Sequence, residues 1–549
     1  MSVLRLNSNE GPRAPQALLA ELAVLDPEVL RRYPDATAVE AALAERVGVA
    51  PERVVVTAGA DEALDRICRA YAGPDRPVLL PEPTFDMLER FAALAGAPLV
   101  RVPWLTDVFP LDEILARLDN RIAVVIIVSP NNPTGGVASR DEVRRIAAAA
   151  PQALVLIDQA YIEYADEDIA SDVLDLANVV VVRTMSKAWG LAGCRVGYAV
   201  GSSDVIAVLR AAGGPYPVAG PSLALALSQL RRGDAALRAH VTQVRAERAN
   251  LRELLCARGV DARVSQANFV LADFGRRQTF VRDGLGARGI LVRDFPGRAG
   301  LETSLRITLP GDPGDFERLT SALDTVLAPQ AIVFDLDGVL ADVRESQRAA
   351  MIATASAYGV SVTMQDIETA LRSGDAANDW IVTQRLIGAA GGQADLETVT
   401  ARFQALYLGT NGSPGLRERE RLIVPRALLA GLAKRLPLAV VTGRPRDEAR
   451  WFLERAEIAD LFGAVVCMED AACKPDPAPV RLALTRLGVR RAWMVGNTPD
   501  DVRAAAGAGV VPLGVVAPGD DVAATNAALI DAGAARVLDQ LADLEELLP

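Results

Sequence analysis

Histidine is nearly absent from these 549 residues: the single one, His240, falls in an Arg- and Ala-rich stretch of helical spacing. Ser-His-Asp and Cys-His catalysis, and metal sites built on several histidines, are excluded by that alone. His240 itself is expected on the surface of a helix. Cysteine is scarce as well. Cys68, Cys194, Cys256, Cys467 and Cys473 show no paired metal-ligand spacing, so reduced thiols are the expectation. No apolar run is long enough to span a bilayer, and the opening Met-Ser-Val-Leu-Arg-Leu-Asn has no apolar leader core. A cytoplasmic protein with no membrane partner follows as an expectation. No basic run tracks phosphates, and a net charge of -12 argues against a nucleic-acid partner. What remains is an ordinary globular composition, 50% hydrophobic and 23% charged, in a chain too long for one core.

Short apolar runs alternate with Ala/Leu/Arg segments of helical period from about residue 40 to 330. Val54 to Val56, Val78 to Leu80, Val124 to Val128, Leu154 to Ile157 and Val179 to Val182 read as strands buried on both faces. This βα alternation predicts an α/β fold with a mostly parallel sheet, and function at the carboxyl ends of its strands. A smaller unit follows from about 221, with strands expected over 269–272, 290–293 and 305–309 and a helix over 278–287. At Leu-Ala-Pro-Gln, residues 327–330, one helix ends and a new strand begins. The alternation then restarts, with strands over 331–334, 438–441, 464–467, 492–495 and 511–516 and a mainly helical block over 343–435.

Four strand ends in the first half carry chemistry. Thr57-Ala58-Gly59-Ala60-Asp61-Glu62 opens a helix whose free N–H groups suit a phosphate. Ser-Pro-Asn-Asn-Pro-Thr-Gly spans 129–135, Asp158-Gln159-Ala160-Tyr161 follows the fourth strand, and Thr184 to Gly197 follows the fifth. That last stretch sets Lys187 among small residues, where loss of solvent favours an amine able to bond an aldehyde cofactor.

In order and spacing, Asn-Pro-Thr-Gly, Asp-x-Ala-Tyr and Ser-Lys-x-x-Gly-x-x-Gly-x-Arg resemble the fold-type I aminotransferases that use pyridoxal 5′-phosphate, histidinol-phosphate aminotransferases in particular. The resemblance covers residues 1–328, with a large domain over about 35–220 and a small domain from the N-terminal segment and about 221–328. It implies that Lys187 bonds the cofactor and moves the substrate's proton, and that Asp158 pairs with the ring nitrogen. Asn132 and Tyr161 would meet the ring's 3′-oxygen and Phe85 its face. Ala60, Asp61, Thr184, Ser186 and Arg195 would hold the phosphate. Arg293 and Arg306 would bind the anionic end of the substrate, and Tyr33 would come from the neighbouring subunit of a homodimer. Two departures stand out: Gln159 replaces the family's usual Glu, and the loop Asn9 to Pro15 has no aromatic residue.

In the second half, Asp335-Leu336-Asp337-Gly338 follows a strand, and later strand ends carry Thr442-Gly443-Arg444, Lys474-Pro475 and Gly496-Asn497-Thr498-Pro499-Asp500-Asp501. Two carboxylates two residues apart can bind one Mg²⁺ while one attacks phosphorus. The set resembles the haloacid dehalogenase superfamily over about 331–549, a Rossmann-like domain with a helical cap over about 343–425. Asp335 is then the implied nucleophile, Asp337 the acid and base, and Thr442 and Lys474 the phosphoryl-binding groups. Asp335, Asp337, Asn497 and Asp501 make the implied Mg²⁺ site. Asn497 stands where most family phosphatases carry Asp, which removes one charge from the metal site.

Together the halves imply a bifunctional enzyme. Its first site would transfer an amino group from glutamate to a phosphorylated ketone such as imidazole acetol phosphate. Its second would hydrolyse the phosphate monoester produced, two consecutive steps of histidine synthesis. The same residues also admit a lyase or decarboxylase using pyridoxal 5′-phosphate, or a secondary-metabolism aminotransferase, with a C-terminal domain that is weak, structural or regulatory.

Overall fold

The computed structural model describes residues 3–374, 378–410 and 413–548. Residues 375–377 and 411–412 of the expected cap lie outside them. The chain packs into two compact units: one holds Leu4–Gln278 and Val292–Arg318, the other Thr279–Leu291 and Leu319 onward.

In the first unit, seven strands form a sheet in the order Val54–Thr57, Gly197–Gly201, Val179–Thr184, Leu154–Asp158, Val124–Val128, Val78–Glu82, Leu99–Pro103. All five strands expected here from their apolar runs are present, because Val and Ile buried on both faces suit a central parallel strand. Two were not anticipated. Gly197–Gly201 runs antiparallel to both its neighbours, and Leu99–Pro103 is the partly exposed edge. The register sets Val128 opposite Asp158, Asp158 opposite Val182, and Gly197 between Thr57 and Thr184. Strand ends thereby meet in one row.

A second sheet orders Leu4–Leu6, Ile290–Asp294, Ser304–Thr308, Phe269–Asp273 and Asp261–Ala262. Arg293 and Arg306 face each other across its antiparallel register. His240 departs from its expected surface position. It is 9% exposed on the helix Asp234–Ala257 and hydrogen-bonds the Tyr164 hydroxyl at 3.1 Å, since its helical turn faces the body of the unit.

The other unit contains an all-parallel six-stranded sheet: Phe462–Val466, Leu438–Val441, Ala331–Phe334, Ala492–Gly496, Val511–Val515, Arg536–Leu538. Ala341–Asp342 pairs antiparallel with Arg421–Leu422, and the helices Gln347–Ala357, Met364–Ser373, Asp379–Ala389 and Leu396–Leu408 lie between them in sequence. Their buried Met351, Ile367, Phe403 and Tyr407 form a small core of their own, so the insertion is a cap closed at its base by a two-stranded clasp. The sequence break at 327–330 does not bound this unit. Phe280 packs edge-on against Trp493 at 5.0 Å, and the Trp493 indole N–H donates to the Thr325 carbonyl at 3.1 Å.

Candidate active sites

The row of strand ends in the first unit surrounds a cavity of about 420 Å³. Ala60, Asp61, Phe85, Asn132, Asp158, Tyr161, Thr184, Ser186, Lys187, Arg195, Arg293 and Arg306 all line it. Tyr33 does not. It is 80% exposed and stacks on Tyr216 at 4.6 Å.

Asp158 ends its strand fully enclosed, and its carboxylate accepts one hydrogen bond among the described residues, from the Ala160 N–H at 3.0 Å. Burial, the dominant influence, pushes its pKa up to about 7; nearby Asp61 adds to the rise and Lys187 opposes it. A carboxylate buried without a cation on it is suited to receive a protonated ring nitrogen. Lys187 follows the next strand, half-buried, with its Nζ 5.5 Å from the centre of the Tyr161 ring. The Tyr161 hydroxyl accepts from Asn9 Nδ2 at 3.0 Å. Arg306 donates to Asn132 Oδ1 at 2.6 Å and to the Asn7 carbonyl at 2.8 Å, which leaves the Asn132 NH₂ as the donor available to a ring oxygen.

The end of the cavity at Arg195 is built from close backbone approach. Helix Gly59–Tyr71 begins beside Gly197, where a Cβ would overlap the Gly59 and Ala60 backbone. Gly59 has φ +78°, and a Cβ there would collide with the Arg195 guanidinium. Thr184 and Ser186 are joined by a hydroxyl–hydroxyl bond of 2.8 Å, and Arg195 reaches Asp61 at 3.2 Å. Anion-binding N–H groups, a lysine and an unpaired buried carboxylate fit pyridoxal 5′-phosphate in size and charge.

Asn9 lies outside the sequence motifs, and Gln159 departs from one of them. Asn9 is buried at φ +53° and bonds both Tyr161 and the Thr308 hydroxyl, so the N-terminal segment ties the two sheets of this unit together over the cavity. Asn is among the few residues that tolerate this conformation, which is the only local signal it offers. Gln159, the departure from Glu, accepts from Arg183 at 2.7 and 3.0 Å, and Asp168 supplies the charge that pairs with Arg183, at 2.5 Å.

The second cavity, about 110 Å³, lies in the other unit and is lined by Asp335, Asp337, Lys474, Asn497 and Asp500 together with cap residues. Lys474 Nζ sits 2.6 Å from Asp335 Oδ1 and 2.5 Å from Asp501 Oδ1. Burial would lower the Lys474 pKa, but the two carboxylates outweigh it and raise it. Burial and Asp501 raise that of Asp335 against the pull of Lys474. Thr442 is buried and accepts the Arg444 N–H at 3.1 Å; it is not part of the cavity wall.

Asp501 is differently employed from its neighbours. Its second oxygen accepts from the Asn497 and Thr498 N–H groups at 3.1 and 3.0 Å and from the Thr498 hydroxyl at 2.7 Å, capping helix Pro499–Ala508. Asn497 Oδ1 is buried and has no hydrogen-bond partner among the described residues. Asn497 lines the cavity with Asp335, Asp337 and Asp500, and an unpartnered amide oxygen together with carboxylates is the donor chemistry of a hard divalent cation such as Mg²⁺.

Arg444, in Thr442-Gly443-Arg444, is central to the hydrogen bonding of this cavity. It donates to Asp337 Oδ1 through Nε at 2.8 Å and Nη2 at 2.5 Å, and to Glu420 at 2.9 and 3.2 Å. The Tyr407 hydroxyl donates to Glu420 at 3.0 Å, so Asp337 is linked to the cap through the buried Arg444–Glu420 ion pair. No local sequence pattern relates Arg444 to residues 24 and 107 positions away.

Residues 2–323 match the aminotransferase class I and II family and residues 329–509 the haloacid dehalogenase-like hydrolase family. A histidinol-phosphate aminotransferase of Paracoccus denitrificans is 34% identical over 340 residues, 60% of this chain and 91% of that protein. An imidazoleglycerol-phosphate dehydratase of Phytophthora nicotianae is 46% identical over 197 residues, 34% of this chain and 44% of that protein. The crystal structure of histidinol-phosphate aminotransferase from Sinorhizobium meliloti in complex with pyridoxal 5′-phosphate superposes with a TM-score of 0.54 at 27% identity, covering 59% of this chain and 90% of that one. With the family match extending over more than half of its length and the lysine, carboxylate and phosphate cradle in one cavity, the chain belongs to the class I and II aminotransferases and carries a haloacid dehalogenase-like hydrolase domain behind them.

Proposed function

We propose that this chain catalyses two consecutive reactions: amino transfer from glutamate to a phosphorylated ketone of the imidazole acetol phosphate type, then Mg²⁺-dependent hydrolysis of the aminated phosphate monoester. The supporting observation is that one chain holds two separate cavities, each lined by a nearly complete donor set for one of these chemistries. Similarity to proteins named for imidazole-bearing phosphates, over 60% of the chain for one and 34% for another, supports the choice of substrate.

In the first site, bound pyridoxal 5′-phosphate supplies an electron sink. Lys187 Nζ carries the proton from the substrate Cα and returns it, Asp158 keeps the ring nitrogen protonated, and Tyr161 and Asn132 donate to the ring oxygen. Arg293 and Arg306 hold the anionic end of glutamate and ketone in turn. In the second site, an Asp335 oxygen bonds phosphorus as the ester P–O bond breaks, and Asp337 gives its proton to the departing alkoxide. Asp337 then takes a proton from water, whose oxygen attacks the phosphoryl group and releases phosphate and free Asp335. Lys474 offsets the charge on the phosphoryl oxygens. Mg²⁺ would be held by Asp335, Asp337 and Asn497, with Asp500 offering the oxygen that Asp501 commits to Lys474 and its helix cap.

The domains of this reading are residues 1–328 and 331–549. The exposed Tyr33 supports a homodimer in which it serves the neighbouring site. A cytoplasmic setting suits both substrates, and no helix among the described residues is long and apolar enough to cross a membrane. The test supplies ketone, glutamate and Mg²⁺ and measures 2-oxoglutarate and inorganic phosphate; appearance of neither ends the proposal.

A further inference from the structure

We propose that the cap side of the second cavity is a pocket for a cationic leaving group, so that this site selects phosphate monoesters whose alcohol carries a protonated amine. This rests on the reading of Asp335 as a phosphatase nucleophile and names the substrate class for it.

A phosphate monoester arrives with nearly two negative charges, so carboxylates in its cavity beyond those serving the metal and the proton transfer are repulsive unless the substrate brings positive charge. Two such carboxylates are present. Asp379 starts the cap helix Asp379–Ala389, and Glu448 projects from helix Arg446–Arg455; both line the cavity. Neither forms an ion pair among the described residues. Glu448 Oε1 accepts from the Gln404 amide at 2.7 Å, and with the Gln347 amide turned to satisfy both of its ends, Asp379 Oδ2 accepts from it at 3.0 Å; both donors are neutral.

The cations around them are already committed. Arg348 pairs with Asp520 at 2.5 Å, Arg444 with Asp337 and Glu420, and Lys474 with Asp335 and Asp501. Enclosure pushes the Asp379 pKa up to about 7 and raises that of Glu448, the mark of carboxylates lacking a counter-ion. Trp380 and Phe403 complete the wall, and aromatic faces attract ammonium groups. At the phosphoryl end Asn497 lines the same cavity, its Oδ1 buried and without a hydrogen-bond partner among the described residues. One cavity therefore offers a phosphoryl-transfer end and an anionic, aromatic end.

The experiment measures kcat/KM of the full-length protein with Mg²⁺ on the phosphate of 2-amino-1-butanol and on its N-acetyl derivative, with p-nitrophenyl phosphate as a third ester. The amine is expected to be preferred by about tenfold to a hundredfold, the range of one charge-assisted contact. Asp379→Asn should shrink that ratio toward one, and Glu448→Gln should shrink it in part. Equal rates on both esters in the unaltered protein would assign Asp379 to stabilising its helix terminus and overturn the pocket while leaving the phosphatase reading intact. A ratio unchanged in both variants overturns it as well. Release of phosphate from none of the three esters removes the phosphatase reading and the pocket with it.

Discussion

Lys187 and Asp335 are expected to separate the two activities. Lys187→Ala should abolish the absorbance of bound cofactor and lower amino transfer by about a thousandfold or more while phosphate release continues; Asp335→Asn should do the reverse. Visible spectra and phosphate assays on the two variants check this, and loss of both activities in either one would contradict independent sites. His240 supports a prediction of stability. Burial lowers its pKa to about 4, against about 6.5 in an unfolded chain, so the unfolded state binds the extra proton between these values. Its contribution is therefore fully present above about pH 6.5 and is lost as pH falls toward 4. His240→Gln should melt with a smaller drop between pH 7 and pH 5 than the unaltered protein. At this scale the sequence reveals residues that one motif brings to the same cavity, such as Lys187 and Arg195. Asn9 with Tyr161, or Arg444 with Glu420, become partners only when distant segments close on each other, and nothing local encodes that.

Elements were legible where burial is two-sided. Val124–Val128 and Ala331–Phe334 coincide with apolar runs because a central parallel strand needs apolar residues on both faces. Gly197–Gly201 was not, since its two glycines break the run and lower strand propensity, although it sits fully buried between two other strands. Its glycine is needed for the site rather than for the strand. Gly197→Ala would force a Cβ into the backbone of Gly59 and Ala60, where helix Gly59–Tyr71 begins, and overpacking of this kind costs about 1–3 kcal/mol. The variant should purify with less bound cofactor and a lower melting temperature, measurable from the same sample by absorbance and calorimetry. A normal cofactor content would show that the phosphate is not held at this helix terminus.

The molecule as a whole divides differently from its families. Sequence composition breaks at 327–330, and one family match ends at residue 323 while the other begins at 329. Packing instead places Thr279–Leu291 and the chain from Leu319 in the unit that carries the second site. Trp493, fully buried on the central strand Ala492–Gly496, meets Phe280 and the Thr325 carbonyl, and Arg491 pairs with Asp324 at 3.2 Å. Composition could not show this, because a hydrophobic helix face reads the same whichever core it covers. The consequence concerns truncation. A fragment ending at residue 328 leaves Phe280 without its aromatic partner, and one beginning at residue 331 uncovers Trp493; each should melt below the intact chain or aggregate. Trp493→Ala tests the same contact without truncation, and removing so large a buried side chain costs about 3–5 kcal/mol. If calorimetry of fragment 1–328 reproduced the transition of the intact protein, the aminotransferase part would be independently stable. A lowered transition in both the fragment and the variant would instead mean that stability of the first half depends on the second.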